Sequence, residues 1–365
     1  MKRNSLARSL FLPLLATAAL AACSDSADPT PTPVVPKFSL LNVSNPIGIT
    51  PDGKTAVFED LMGTLDGDLY TYDVATGTLT LTTQVGSSLT SFATGVSGDG
   101  HVSAVYSDPA TAGIWNGTAW ATIPSSFPAG CDNSINGAWG ISQDGHVAVG
   151  FDWDGCNTKG MRWTEVAGTW TGVPLEVFGS GSNRPTHVSG NGLIAAGSVA
   201  TEAPFALDRK PTFWNASGTA AFVPQGEFTD DSPGEVLALN YDGTMMAGVW
   251  NNQGWYWTAA TGTVNLGQLD GFAEFPKTMG LAIAANDKMI FGTSLDQAFV
   301  WTKSTGMRRL QDIVTAAGLV IPEGLTLVTA TAASADGTVV IGQAVNDRYQ
   351  YSSFVLTLPI AKYRP

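Results

Sequence analysis

The amino-acid sequence predicts an all-β protein, specifically a seven-bladed β-propeller of four-stranded antiparallel blades. The first observation is a turn motif, most often Asp-Gly between two apolar runs, that recurs seven times at spacings of 44 to 51 residues. The second is an aromatic residue followed within five residues by a glycine, found after six of the seven turns. The third is composition, because 13% charged residues and 41 glycines are typical of β-rich exported proteins.

The seven turns divide the chain into units that begin with the same hairpin. The turn residues are Asp52, Asp99, Asp144, Asn191, Asp242, Asn286 and Asp336. Asp-Gly or Asn-Gly between apolar runs favours a type I′ hairpin, and a repeat period of about 40–50 residues is typical of propeller blades. Because seven equivalent positions do not form one active site, His101 and His146, which follow two of the turns, are interpreted as solvent-facing strand starts.

The second half of each unit predicts a third strand, a second tight turn and a fourth strand. Its aromatic residues are Tyr72, Trp115, Trp163, Trp214, Trp257 and Trp301, and its glycines are Gly77, Gly117, Gly168, Gly218, Gly262 and Gly306. The last unit has Leu356 instead, with only nine residues after it. We therefore expect Lys37–Val43 to supply the missing outer strand, which closes the ring and removes an exposed edge. One helix is predicted, at Leu310–Gly318.

The first 22 residues combine a basic start with an apolar run of 13 residues, Leu10–Ala22. A membrane-spanning helix needs about 20 apolar residues, so residues 1–22 are predicted to be a signal peptide. The run ends in LAAC, which resembles the lipobox of bacterial lipoproteins and implies that Cys23 carries the lipid. Residues 23–36 hold four prolines and are predicted to be an extended tether to a propeller at 37–365. Ser24 after the cysteine implies sorting to the outer membrane, on its periplasmic side or at the cell surface.

Several stretches resemble known extracytoplasmic repeat families. GWYWTAATGTVNLGQLDG, AFVWTKSTGMRRLQDIV and ASADGTVVIG look like the HAF repeats of bacterial extracellular proteins. The first unit, ITPDGKTAVFEDLMGTLDGDLYTYDVATGTL, is similar to the WD40-like repeats of TolB-type propellers. The two resemblances cover about residues 37–358 and imply an exported propeller. Their motifs serve turns and packing, so they imply a fold and a compartment but no activity.

Composition and motifs point away from several functions. The formal net charge is −13, so we expect no nucleic-acid partner, since such binding needs a basic surface. With three histidines and without metalloprotease, nucleophile-elbow or phosphate-loop motifs, the sequence predicts no catalytic residue, cofactor or metal. Asp152 and Asp154 are spaced as in cation loops, but the further oxygen ligands of such loops are missing.

In propeller enzymes, carboxylates gather around the mouth of the central channel. The equivalent positions here are the starts of the innermost strands, seven or eight residues before each turn: Asn45, Phe92, Asn136, Arg184, Glu235, Thr278 and Thr329. With one carboxylate among seven residues, this ring lacks the groups that general acid–base chemistry or calcium binding needs.

The predicted ligand face is the loop-rich end of the propeller. Its candidate residues are Trp139, Trp153, Asp154, Asn136, Arg184 and Glu235. Tryptophans outside the repeat positions favour a recognition surface, because aromatic side chains dominate binding energetics. The sequence thus predicts a binding module, held at the membrane by its lipid, for a protein or glycan partner. The alternatives are a hydrolase or lyase at the channel mouth and a purely structural envelope protein.

Cys131 and Cys156 lie 13 residues before and 12 residues after the Asp144 turn. Near-equal distances on the two sides of a hairpin bring both cysteines to the same end of the blade. In an exported protein such a pair is expected to oxidise, and closing the loop stabilises by about 3 kcal/mol in the chain-entropy model. The sequence therefore predicts a Cys131–Cys156 disulfide that holds the loop with Trp153 and Asp154.

Overall fold

The computed structural model describes residues 33–60, 68–84, 95–106, 111–127, 136–154, 157–178, 182–200, 209–228, 232–271, 277–284 and 286–363. Over these ranges the chain forms seven antiparallel sheets, six with four strands and one with three. Val96 adds a first-strand contact to the three-stranded sheet through its bridge to Val102. The predicted seven-bladed β-propeller of four-stranded antiparallel blades is therefore confirmed. It forms one compact unit over Val34–Pro365.

Several sequence predictions fall on residues that the structure does not describe. The signal peptide and its lipidation site Cys23 lie outside the described ranges, and so do Cys131 and Cys156. The lipid anchor and the disulfide therefore stay predictions. Among the described helices, none has the length and apolar character needed to cross a membrane.

The first strand of the chain, β1 (Lys37–Leu41), belongs to the last blade, and the next blades follow in chain order from their innermost strand outwards. Blade 1 is β2 (Asn45–Ile49), β3 (Thr55–Asp60), β4 (Asp68–Asp73) and β5 (Thr78–Gln84). Blade 2 is β6 (Val102–Tyr106), β7 (Thr111–Trp115) and β8 (Trp120–Thr122). Blade 3 is β9 (Gly137–Ile141), β10 (Val147–Asp154), β11 (Asn157–Val166) and β12 (Thr169–Pro174).

The remaining blades repeat this order. Blade 4 is β13 (Asn183–Val188), β14 (Ala195–Ala200), β15 (Arg209–Trp214) and β16 (Ala220–Phe222). Blade 5 is β17 (Gly234–Leu239), β18 (Met245–Trp250), β19 (Gln253–Thr258) and β20 (Gly262–Asn265). Blade 6 is β21 (Thr278–Ala284), β22 (Met289–Ser294), β23 (Gln297–Thr302) and β24 (Gly306–Arg309), followed by the predicted helix, α1 (Leu310–Ala316). Blade 7 is β25 (Leu325–Ala333), β26 (Val339–Asn346), β27 (Tyr351–Thr357) and β1, before a 3₁₀ turn at Ile360–Lys362.

The ring is closed by the N-terminal strand, as predicted. Strand β1 pairs antiparallel with β27, from Lys37 opposite Thr357 to Leu41 opposite Ser353. A backbone hydrogen bond from Ala335 N to Pro51 O, 2.8 Å long, also joins the hairpin turns of the last and first blades. The strand that closes the ring thus covers the outer edge of blade 7, which would otherwise be open to pairing.

The apolar core lies between neighbouring blades, where the repeated aromatic residues of the third strands pack. Trp163 is fully buried and shares one apolar cluster with Ile114 of blade 2 and Ala138 of blade 3. Trp214 is also fully buried. At Trp163 and Trp214, the repeat position of the aromatic residue therefore reports blade packing.

The first hairpins differ from the predicted type I′ turn. In six blades the glycine of the motif has positive φ but the residue before it does not, as at Gly145 with φ 77°. Gly145 N donates to Ser142 O at 3.0 Å, which makes a type I turn closed by a left-handed glycine. In blade 6, Asn286 and Asp287 both have positive φ, as type I′ requires. The type I′ prediction is therefore wrong for the other six blades.

A side-chain network explains the type I form. Ser142 Oγ donates to Asp144 Oδ1 at 2.5 Å, and Asp144 Oδ1 accepts from His146 N at 3.1 Å. Ser142 Oγ also accepts from Val147 N at 3.0 Å. The same three bonds recur at the turns of Asp52, Asn191 and Asp336. The turn residue is thus a structural acceptor, and the side chains two residues before it fix the hairpin.

We expect the turn aspartates to make the fold less stable in acid. The Lys54 side chain, first among several donors, lowers the pKa of Asp52 from 3.8 to about 2, and the Thr244 hydroxyl lowers that of Asp242. A carboxyl group with a depressed folded pKa stabilises the fold above its unfolded pKa and loses that contribution as pH falls through its folded pKa. The free energy of unfolding should therefore decrease between about pH 4 and pH 2.

Asparagine provides a matched test, because Asn191 already occupies this turn in blade 4 with the same hydrogen bonds. Replacing Asp52 and Asp242 together with asparagine should keep the turns and reduce the loss of stability in acid. Urea unfolding at about pH 2.5 and pH 6 measures the difference. An acid sensitivity equal to that of the wild-type protein would show that these aspartates are not its source.

Candidate functional site at the channel mouth

A cavity of about 670 Å³ opens into the central channel at the end where the first strand of each blade begins. This end is called the mouth, and the opposite end, with the first hairpin turns, is called the turn face. All seven blades contribute to the wall of the cavity. Its volume lies in the range of small-molecule sites, about 300–1,000 Å³.

Two positions in the described first strands face the cavity, of which blade 3 contributes only the deeper. The deeper position lies five residues before the turn, at a β-bulge. The residue at this position is the unpaired one: Ile47, Trp139, Thr186, Leu237, Leu281 and Thr331. The position nearer the mouth lies seven residues before the turn and holds Asn45, Arg184, Glu235, Met279 and Thr329. Phe92, the equivalent residue of blade 2, lies outside the described residues. The side chains therefore form two rings, one above the other.

In five blades a glycine in the second strand makes room for the bulge. A Cβ atom added to Gly197 would lie 1.9 Å from Arg184 O, and one added to Gly248 would lie 2.1 Å from Glu235 O. Equally close approaches, 1.9 Å each, occur at Gly150, Gly292 and Gly342. Blade 1 differs, with Phe58 at this position. In five blades the glycine thus touches the residue seven positions before the turn, so the packing of the blade and the geometry of the mouth are coupled.

Four charged side chains meet at the mouth: Arg184, Arg209, Glu235 and Lys277. Arg209 Nη1 lies 4.0 Å from Glu235 Oε2, and Arg184 Cζ lies 5.3 Å from the centroid of the Trp139 ring. Arg184 Nε is buried and has no hydrogen-bond partner among the described residues. Among the described residues, three cations thus face one carboxylate, so this part of the cavity wall carries a net positive charge.

Burial and neighbouring charges shift the pKa values of these groups. Burial raises the pKa of Glu235, and the positive charges of Arg184, Arg209 and Lys277 oppose that shift. Burial also lowers the pKa of Arg184, and the charge of Arg209 lowers it further. Both shifts have burial as their main cause, so the charged forms are held where water screens them poorly. An additional negative charge at the mouth would stabilise all three cations.

Deeper in the channel the wall becomes largely apolar. Its apolar side chains are Ile47, Ile141, Val188, Leu237 and Leu281. His187 also lines the wall, with its Nδ1 atom 2.9 Å from Thr186 Oγ1. Burial lowers the pKa of His187 to about 4, so at neutral pH this imidazole is uncharged. The charge of the site is therefore concentrated at the mouth.

The structure brings together half of the predicted ligand-face residues. Trp139, Arg184 and Glu235 line the cavity. Trp153 and Asp154 lie instead at the end of the second strand of blade 3, at the same end of the propeller but outside the cavity wall. The sixth residue, Asn136, does not line the cavity.

The prediction that Asn136 and Thr278 face the channel is wrong. Both lie eight residues before their turns, rather than seven, and a shift of one residue along a strand reverses the direction of the side chain. Asn136 is buried between blades, where its Oδ1 atom accepts from Ala112 N at 2.9 Å. Thr278 is buried against Ser294, with 2.9 Å between the two hydroxyl oxygens.

Asn183 also lies eight residues before its turn, and its contacts show that this position has a structural role. Asn183 lies directly before Arg184 and is fully buried. Its Oδ1 atom accepts from Gly160 N at 2.6 Å, and its Nδ2 atom donates to Leu175 O at 3.0 Å. These bonds tie the start of blade 4 to blade 3, and they fix the strand that presents Arg184 to the mouth.

Two of the four charged residues at the mouth, Lys277 and Arg209, were not predicted from the sequence. Lys277 lies nine residues before its turn, and Arg209 begins a third strand rather than a first strand. Neither shares the spacing that predicted the ring. The meeting of Arg209 with Glu235 depends on the packing of neighbouring blades, for which the sequence has no local signal.

A second depression, of about 720 Å³, lies at the turn face between blades 5 and 6. Its lining includes Tyr256 and Trp301, whose ring centroids are 5.0 Å apart. The carboxylate in its wall, Asp287, accepts a hydrogen bond from Asn240 Nδ2 at 2.9 Å. The mouth is the stronger candidate site, because all seven blades contribute to its wall and Arg184 Nε is buried there without a hydrogen-bond partner among the described residues.

The turn histidines lie away from the mouth. The side chain of His146 is 61% exposed, and its Nδ1 atom lies 2.5 Å from Glu165 Oε2. The side chain of His101 is 29% exposed. Within the described ranges, no group of three or more His, Cys, Asp or Glu residues is arranged to hold a metal ion.

Comparison with known proteins supports the fold. The Cps50 (Swd1) β-propeller domain of Myceliophteria thermophila is 8% identical, with 88% of this chain and 100% of that domain covered and a TM-score of 0.56. Oligogalacturonate lyase from Vibrio parahaemolyticus is 11% identical, with 90% and 98% covered and a TM-score of 0.53. At these identities the likeness shows the propeller fold alone.

TolB from Acinetobacter baumannii is 18% identical over 62% of this chain, with a TM-score of 0.42. The chain spans about half, 53%, of the length of that TolB chain. No protein-family profile matches the chain, and no curated protein matches it either. The resemblance to HAF repeats therefore stays a prediction.

Proposed function

We propose that this chain is a lipid-anchored binding module of the bacterial cell envelope, exported and held at the outer membrane through Cys23, with its ligand site at the channel mouth. The main support is the charge distribution there. Arg184 Nε is buried and has no hydrogen-bond partner among the described residues. Charged donors in a partly desolvated cavity are costly when unpaired, and a ligand from a protein or glycan partner would supply the missing acceptors.

The alternative functions explain this arrangement less well. A hydrolase or lyase needs a general acid and base, whereas the described lining residues offer Glu235 and an imidazole, His187, whose pKa is about 4. Oligogalacturonate lyase shares the fold at 11% identity, which is too distant to transfer an activity. A purely structural propeller would gain nothing from the three cations, Arg184, Arg209 and Lys277, around Glu235.

We expect replacement of Cys23 with serine to release the protein from the membrane fraction. The lipid attaches to the cysteine thiol, and two or three acyl chains hold a protein at a bilayer durably. Labelled palmitate should be incorporated into the wild-type protein but not into the variant. Unchanged labelling or unchanged sedimentation with membranes would contradict the anchor.

The same membrane preparations test the binding site. Partners that co-purify with the wild-type protein should be lost when Arg184 and Arg209 are both replaced with glutamine, because the guanidinium donors are then absent. Lys288→Gln is the matched control, since Lys288 is an exposed cation at the turn face. A partner set that is identical for the wild-type protein and the arginine double variant would contradict a site at the mouth.

A further inference from the structure

We infer that the group bound at the mouth is a carboxylate that carries an apolar substituent. Free organic acids and polypeptide C-termini share this chemistry. The inference rests on the proposed function and specifies its ligand. It follows from the charge of the mouth, from the apolar wall beneath it and from the volume of the cavity.

The charged side chains at the mouth favour an anion that has two hydrogen-bond acceptors side by side. Arg209 Nη1 lies 4.0 Å from Glu235 Oε2, which is beyond hydrogen-bond distance. Arg184 Nε has no hydrogen-bond partner among the described residues, although the guanidinium stacks on Trp139. A guanidinium fork matches a carboxylate, which accepts two parallel N–H bonds from it. Arg184 and Arg209 therefore bring two guanidinium groups to the wall of the mouth, the second of them beside Glu235.

The wall beneath the charges favours an apolar substituent. Leu237 and Leu281 lie two residues deeper along the same strands than Glu235 and Met279. A small hydrated anion such as phosphate would gain nothing from these side chains, whereas an apolar group buried there would be removed from water. The volume of about 670 Å³ is that of a small-molecule site, so a single terminal group enters rather than a folded partner.

Matched acids and amides test the inference on the full chain, purified in detergent. Phenylacetate is compared with phenylacetamide, and N-acetyl-leucyl-phenylalanine is compared with its C-terminal amide. Calorimetric titration should show each acid binding about tenfold or more tightly than its amide, because charge-assisted hydrogen bonds are lost in the amide. The acids should also raise the melting temperature. Tighter binding of the dipeptide acid than of phenylacetate would indicate a polypeptide C-terminus, and the reverse order a free organic acid.

Variants locate the effect. Replacing Arg184 and Arg209 with glutamine should abolish the preference for acids over amides. Lys277→Gln is a second variant that removes an exposed side chain, so the fold is preserved, and it should weaken binding of the acids by about threefold. Lys288→Gln at the turn face should leave binding of every probe unchanged.

Each contrary result overturns the inference in a distinguishable way. If acids and amides bind equally well at the mouth, the carboxylate is wrong while the proposed binding function stands. If glucuronate, a carboxylate on a polar ring, binds more tightly than phenylacetate, the apolar substituent is wrong. If none of the probes binds, the inference fails, and the co-purification test with the arginine double variant still decides the proposed function independently.

Discussion

Replacing Gly197 with alanine should lower the free energy of unfolding by about 3 kcal/mol and weaken ligand binding at the mouth. The added Cβ atom would lie 1.9 Å from Arg184 O and 3.0 Å from Thr186 N, so the first strand of blade 4 has to move. Both Arg184 and Thr186 line the cavity. A shift of their backbone therefore costs stability and also displaces a binding residue.

Gly218→Asn is the matched control in the same blade. Gly218 has φ +84°, and its nearest neighbours to an added Cβ atom are 3.5 Å away. Asparagine tolerates a left-handed backbone better than other non-glycine residues, so this variant should lose less than about 1 kcal/mol. Urea unfolding and titration with phenylacetate measure both effects. A Gly197→Ala variant as stable as the wild-type protein would show that the bulge does not depend on this glycine.

The number of blades and the closure of the ring could be predicted from the sequence because their signals are local. Each first hairpin repeats the same turn chemistry, and the aromatic residue and glycine that follow mark the outer hairpin. The segment Lys37–Val43 was predictable as the closing strand, because Leu356 leaves too few residues for a further strand. Strand β1 pairs with β27, the strand that contains Leu356, as this shortage of residues requires.

The turn type could not be predicted from the Asp-Gly pair alone. Type I′ is the usual choice for a two-residue loop, but Ser142 adds a competing hydrogen bond to Asp144 and to Val147 N. Those bonds enclose a longer loop, in which only Gly145 is left-handed. The serine two residues before the aspartate was the available signal.

The mouth could be predicted only in part. Arg184 and Glu235 follow from counting back seven residues from the turn, and Trp139 from being a tryptophan outside the repeat positions. A count of eight residues, used in blade 3, placed Asn136 on the wrong side by one residue, because the exact strand register is not visible in the sequence. Arg209 comes from another strand, and only the packing of the blades brings it within 4.0 Å of Glu235.

We expect a photoreactive benzoylphenylalanine in place of Tyr349 to crosslink to a partner in intact cells, and the same residue in place of Tyr241 not to do so. Both tyrosines are exposed, by 85% and 62%. Tyr349 lies in the hairpin between β26 and β27, at the mouth end, whereas Tyr241 lies in a first hairpin turn at the turn face. The main difference between the two positions is therefore the end of the propeller at which they lie.

This pair of crosslinks tests the binding site most directly, since it needs no knowledge of the ligand. A site at the mouth predicts an adduct from position 349 that disappears when Arg184 and Arg209 are replaced with glutamine, and no such adduct from position 241. An adduct from position 241 alone, or one from position 349 that survives the loss of both arginines, would contradict recognition at the channel mouth.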